Sequence, residues 1–177
     1  MNILLRKIEP SDLPFLYQWE NDASAWADGA NHNPLSQQDL RDYIESTTGD
    51  IYKDGQLRLI IEEVSDQQSG ASEHSGENSS LTVGCIDLFD LDIRNRRAAI
   101  GMYIAPEYRN RGIGKQAVLA LEDYASKQLD LRLIYAVIAT TNIPCTQLYK
   151  NLGYEPSSVL KGWTLESDAI IWQKLFH

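Results

Sequence analysis

The chain has 177 residues, 43% apolar and 23% charged, a composition that fits one ordinary globular domain and excludes wholesale disorder. With 16 lysines and arginines against 25 aspartates and glutamates, the formal charge is −9, which argues against a nucleic acid or an anionic membrane surface as partner. Such acidity would suit a cationic partner, though it serves solubility first.

Residues 3–8 read as a first strand, stopped by Pro10. Ser11 or Asp12 then caps a helix to about residue 20, with Leu13, Leu16 and Tyr17 at helical spacing on one face. Residues 21–34 are polar and aperiodic and carry Trp26, Asp28 and His32. Ser36 opens a second helix over 37–47, and residues 56–64 form a strand in which Leu57, Leu59 and Ile61 alternate. The tract 65–80 holds six serines, Asp66, Glu73 and Glu77, and no lysine or arginine. It buries too little to offset the entropy of ordering, so it is expected as a flexible polar insert in a hairpin. Strands are expected at 81–91 and 97–105 around a turn at 92–96.

The period then changes. Val118, Leu121, Ala125 and Leu129 mark a helix over 114–129, and residues 131–139 form a nearly continuous apolar strand covered on both faces. Thr141 or Asn142 caps a short helix with Pro144 in its first turn, and Gly153 ends it. Two strands, 159–165 and 168–176, close the chain. The order implies an α+β fold with one embedded β-α-β unit.

Cys85 and Cys145 each lie in an apolar stretch and read as small buried residues of a reducing compartment. His32, His74 and His177 stand at no metal-ligand spacing, so no metal is expected. No run reaches the ~18 apolar residues of a membrane helix, and residues 1–9 carry Arg6, Lys7 and Glu9 where a signal peptide would be apolar. A cytoplasmic location and a single domain over 1–177 are the resulting expectations.

The chemistry concentrates in Met102, Tyr103, Ile104 and the loop Arg109, Asn110, Arg111, Gly112, Ile113, Gly114, Lys115. A strand end, a basic glycine-bearing loop and a helix start build an anion site, because loop amides and the positive helix terminus face one point. A Walker A loop would need glycine at 109 and Ser or Thr at 116, where Arg109 and Gln116 stand. Residues 112–117 match G-x-G-x-x-A, but six residues separate the strand end at Ala105 from Gly112, and no acidic residue closes the next strand. The run from Arg109 to Gly114 instead resembles the Q/R-x-x-G-x-G/A pyrophosphate loop of the GNAT superfamily of N-acetyltransferases. The stretch from Asn142 to Tyr154 resembles that family's N-x-x-(A/S)-x-x-x-Y-x-x-x-G-F/Y helix, and the hairpin Arg94, Asn95, Arg96, Arg97 is most similar to the branch of spermidine and ribosomal-protein N-terminal acetyltransferases.

The resemblance implies a mostly antiparallel sheet of about seven strands and about four helices, with strands four and five splayed into a V that holds acetyl-CoA. It implies that the backbone of Met102, Tyr103 and Ile104 bonds the pantetheine arm. The amides of the loop from Arg109 to Gly114 would bind the pyrophosphate, where Arg109, Arg111 and Lys115 gather their charge at one helix entrance. Asn142 would face the pantetheine or sulfur end, Tyr149 would act as general acid, and a homodimer would be a common assembly. The branch often carries a glutamate where Ala99 stands; Asp87, Asp90 or a water chain are its alternatives as base. The expected activity is transfer of an acetyl group from acetyl-CoA to a primary amine, such as a polyamine, a protein N-terminus or an amino sugar. The rival expectations are a catalytically silent acyl-CoA sensor and an antibiotic-modifying acetyltransferase. Acceptor choice is assigned to residues 21–34, the second helix and the last strands, including Trp26, Asp28 and Trp163.

Overall fold

Apolar runs of period two, broken by proline, glycine and aspartate, fold as seven strands of one sheet. The computed structural model describes residues 2–22, 33–64 and 80–176. Its elements are β1 (Asn2–Lys7), α1 (Leu13–Glu20), α2 (Gln37–Ser46), α3 (Ile51–Asp54), β2 (Leu57–Val64), β3 (Ser80–Asp92), β4 (Arg97–Ile104), α4 (Ile113–Lys127), β5 (Leu133–Ala139), α5 (Ile143–Asn151), β6 (Glu155–Leu160) and β7 (Ala169–Leu175). The sheet order is β1-β2-β3-β4-β5-β7-β6. Every pairing is antiparallel except β4 with β5, which α4 connects as the crossover a parallel pair requires.

Two cores follow from the two faces of the sheet. On one, Leu16 and Trp19 of α1 and Leu40 and Ile44 of α2 pack on Ile60 and Cys85. On the other, Ala117, Val118, Leu121 and Ala125 of α4 and Tyr149 of α5 pack on Ile86, Ile100, Ile134 and Trp172. Ser36 caps α2 reciprocally with Asp39, at 3.1 Å to the Asp39 amide and 2.8 Å back from the Ser36 amide. The start of α1 differs from expectation: neither Ser11 nor Asp12 caps it. The Asp12 carboxylate instead accepts two hydrogen bonds of 2.7 Å from Arg6 and one of 2.8 Å from the Glu9 amide, while Arg6 Nε reaches Glu62 at 2.6 Å.

The penultimate strand is shifted. It occupies Glu155–Leu160 rather than 159–165. Gly162, at φ 59°, turns the chain where the strand was expected to continue, and Asp168 fixes that turn by accepting from Lys161 Nζ and Gly162 N, each at 2.8 Å. Pro156 falls inside β6, which the sheet tolerates because β6 is an edge strand and a missing N–H costs no ladder bond there. The four-residue α3 was not expected, since so short a segment carries no period to read. Cys85 is buried and burial pushes its thiol up to about 12, whereas Cys145 is only half-buried. Ser80 opens β3 opposite Val64, so the serine tract joins the two strands of a hairpin. The rest of that tract, 65–79, and residues 23–32 with Trp26, Asp28 and His32, lie outside the described residues.

Candidate functional site

β4 and β5 pair over three positions only, from Arg97 with Leu133 to Ala99 with Tyr135. Beyond Ala99 and Tyr135 no ladder joins them, although β4 stays paired to β3 and β5 to β7. The two strands therefore open into a cleft with backbone on both walls. Alternation decides which groups face it. Tyr103 turns its carbonyl toward β3, and Ala105 N–H donates to Val83 O at 3.0 Å. Ile104 turns the other way, and by the same period so does Met102. Of the three residues read from the sequence, Met102 and Ile104 present backbone to the cleft and Tyr103 presents it to β3.

Gly84, which sequence reasoning missed, sets this edge. A Cβ there would stand 2.2 Å from Tyr103 O, so any side chain must push the end of β4 out of place. Gly84→Ala is expected to destabilise the fold by about 1–3 kcal/mol, the usual cost of overpacking, and to weaken acetyl-CoA binding. Urea unfolding with calorimetric titration checks this, and unchanged stability and affinity would refute it.

α4 and α5 follow the carboxyl ends of two parallel strands, so both helix N-termini open toward the same end of the cleft, the position where ligands of open α/β sheets bind. No side chain caps α4. The first-turn amides of Ile113, Gly114 and Lys115 have no partner within the helix. Asn110 at φ 60° and Gly112 at φ 81° bend the loop into this start. A Cβ on Gly114 would come within 3.0 Å of Met102 Cε, so the glycine lets the α4 terminus lie close against β4. The cations are arranged differently from the sequence expectation of one basic cluster. Arg109 Nε donates to Ile104 O at 2.8 Å and its guanidinium lies over the Tyr103 ring. Arg111 forks onto Glu63 of β2 at 2.9 and 3.0 Å and lies over Tyr108. Lys115 is exposed. The anion-binding capacity of this terminus thus rests on amides and Lys115 more than on the arginines.

Asn142 caps α5, its Oδ1 accepting from Cys145 N at 3.1 Å. Tyr149, 2% exposed, stands edge-on to Tyr154 with ring centroids 4.8 Å apart. Its hydroxyl makes no hydrogen bond to any described residue, and burial, with Cys145 and Glu122 nearby, holds its proton well above the ordinary tyrosine range. Behind it, Lys174 bonds Glu122 at 2.6 Å and Leu152 O at 2.9 Å, which holds the α4–β7 contact. On the opposite face, Tyr103 OH donates to Asp22 at 3.1 Å and its ring packs on Trp19. Asp87 accepts both of its bonds from Arg58, and Asp90 accepts from Tyr135 OH. Trp163 lies exposed in the turn after β6, and not in a strand. Among the described residues no helix is long and apolar enough to cross a membrane.

A family model described as an acetyltransferase (GNAT) domain matches residues 2–155. A spermidine N(1)-acetyltransferase of Escherichia coli (strain K12) is 24% identical over 156 residues, covering 86% of this chain and 73% of the relative. A crystal structure of spermidine N-acetyltransferase from Vibrio cholerae in complex with CoA and spermine superposes with a TM-score of 0.81 at 20% identity, over 98% of this chain and 95% of that one. A dodecameric structure of the Vibrio cholerae enzyme gives 0.76 at 20% identity, over 98% and 93%.

Proposed function

The chain belongs to the acetyltransferase (GNAT) family and is an N-acetyltransferase, and from that premise we propose that it moves the acetyl group of acetyl-CoA to a primary amine on a small cation, with polyamines first. The observation that carries this reading is the cleft between β4 and β5, with two helix N-termini at its open end. The residues present fit the co-substrate. The α4 amides from Ile113 to Lys115 form a dipole-assisted site for a pyrophosphate, and the Met102 backbone with the Ile104 N–H offers a strand edge to an extended amide-bearing arm, the Ile104 carbonyl being taken by Arg109. Acetyl-CoA supplies an acetyl thioester. The loop from Arg109 to Gly114 orients the phosphates, and Asn142 holds the start of α5 so that Tyr149 faces the cleft. Tyr149 gives its proton to the departing sulfur. Polyamines come first because the named relatives act on spermidine and the chain is acidic; protein N-termini and amino sugars follow.

Incubating the purified chain with acetyl-CoA and spermidine, spermine, glucosamine or peptides with free N-termini is expected to release CoA with at least one polyamine. No release above background with any amine would overturn the reading. Among the described residues no feature favours a binding-only sensor. Self-association belongs to the proposal, since one neighbour is a dodecamer, and sedimentation of the chain reads it.

A further inference from the structure

Attack on a thioester needs a neutral amine, so an ammonium acceptor must lose a proton at the site. Tyr149 lies on the α4–α5 face of the sheet and serves the sulfur. The other face, carrying Cys85 and Tyr103, must supply the acceptor for the amine's proton if the amine enters from that side. β4 itself offers nothing at the point where the cleft begins, because the residue there is Ala99. Three β3 carboxylates lie nearby, and Asp92 is bonded to Asn95 and Arg97. Asp87 has one oxygen at 2.8 Å and the other at 2.9 Å from Arg58 nitrogens, so both are engaged. Asp90 is different. The β3–β4 register breaks between Phe89 and Asp92, and Asp90 itself sits at φ 52°. That bulge redirects the Asp90 side chain off the strand's alternation, and it accepts a hydrogen bond from Tyr135 OH on β5.

The pairing spans two strand spacings, about 10 Å, with β4 between. In register, Phe89, Ala99 and Tyr135 lie side by side across the three strands. The bridge passes over Ala99, which is 3% exposed, and only a small residue leaves room for it. The last ladder residue of β5 before the cleft is thus a tyrosine already bonded to a carboxylate.

We propose that Tyr135 and Asp90 form a proton relay that deprotonates the acceptor amine at the apex of the cleft, a role that rests on the acetyltransferase reading above. The ammonium proton passes to Tyr135 oxygen as the Tyr135 proton passes to Asp90, which later releases it to water. The freed lone pair forms the N–C bond and the C–S bond breaks with its electrons on sulfur. Sulfur takes the Tyr149 proton, and Tyr149 is restored by the second proton leaving nitrogen. One proton in total reaches solvent, as amide formation from an ammonium requires. Burial and the bond to Asp90 push the Tyr135 hydroxyl up to about 12, so it carries its proton at neutral pH. The other charged groups facing the pair are Asp92 of β3 and Arg97 of β4, which are bonded to each other at 3.2 Å; β7 brings the neutral Gln173 beside Tyr135.

Tyr135→Phe removes one oxygen, and Asp90→Asn keeps a residue type that accepts a left-handed backbone, so both are expected to fold. Each is expected to lower kcat/KM for spermidine at pH 7 about 100-fold, the low end for a positioned base, with acetyl-CoA affinity unchanged. The deficit should shrink toward pH 10, where amines deprotonate without help. A structural role would leave a deficit that is constant with pH. Activity within twofold of wild type at pH 7, or a pH-independent deficit, overturns the relay while the enzyme reading stands. A larger loss in Tyr103→Phe than in Tyr135→Phe moves the role to the Tyr103–Asp22 pair and also overturns it. Failure of the wild-type chain to release CoA with any amine removes both readings.

Discussion

Tyr149→Phe is expected to lower kcat for amine acetylation about 100-fold or more, since a positioned general acid contributes roughly 10²–10⁴. Acetyl-CoA affinity and Tm should stay at wild-type values. The change is local. Tyr149 is 2% exposed and its ring packs edge-on to Tyr154, a contact phenylalanine keeps. The lost oxygen bonds to no described residue, so its removal leaves no partner stranded. What disappears is the hydroxyl proton proposed for the departing sulfur. Burial raises the hydroxyl above the ordinary tyrosine value of about 10, so the acid form persists as pH rises and the alkaline limb should show no fall near that value. A rate within threefold of wild type, or a wild-type downturn at about pH 10, would refute the role.

The largest effect on stability is expected at Arg6. It joins β1 to the start of α1 through Asp12 and to β2 through Glu62, and these carboxylates are 1% and 8% exposed. Arg6→Met keeps much of the apolar stem but leaves both acids buried without their cation. Breaking a buried pair in this way costs about 3–5 kcal/mol, well above what an exposed ion pair contributes. Urea unfolding at pH 7 should show the free energy of unfolding fall by that amount, as a lower midpoint with an unchanged slope. The change would reach the site through α1, whose Trp19 packs against Tyr103. A loss below about 1 kcal/mol would mean the pair is worth no more than a surface one.

Most of the frame was legible. Ser36 ahead of α2 and Gly153 after the α5 pattern each depend on neighbours a few residues away, and each formed as expected. β5 formed too, but it is buried on one face only, through Ile134, Ala136 and Ile138, with Val137 exposed, because β4 leaves it where the cleft opens. The misplacement of β6 has the same logic in reverse. Its signal was a proline among serines, acceptable only at an edge, and edge position is not a local property. Asp12 read as a helix cap because its partner Arg6 acts through a turn whose geometry the sequence does not display.

The sequence by itself determined that a strand ends near Ile104, that a basic glycine-bearing loop leads into a helix, and that Tyr149 lies on the apolar face of a second helix. These follow from backbone preferences and periodicity within one or two turns. Only the tertiary structure decided that β4 and β5 part after Ala99 and that Arg109 and Arg111 are engaged by Ile104 and Glu63. It alone placed Gly84 against Tyr103 and let Asp90 reach Tyr135 across an alanine. Each of these joins residues far apart in the chain, through strand register and side-chain packing. Hydrophobic burial drives the collapse but is non-directional, so which distant groups meet is settled only when the whole sheet pairs.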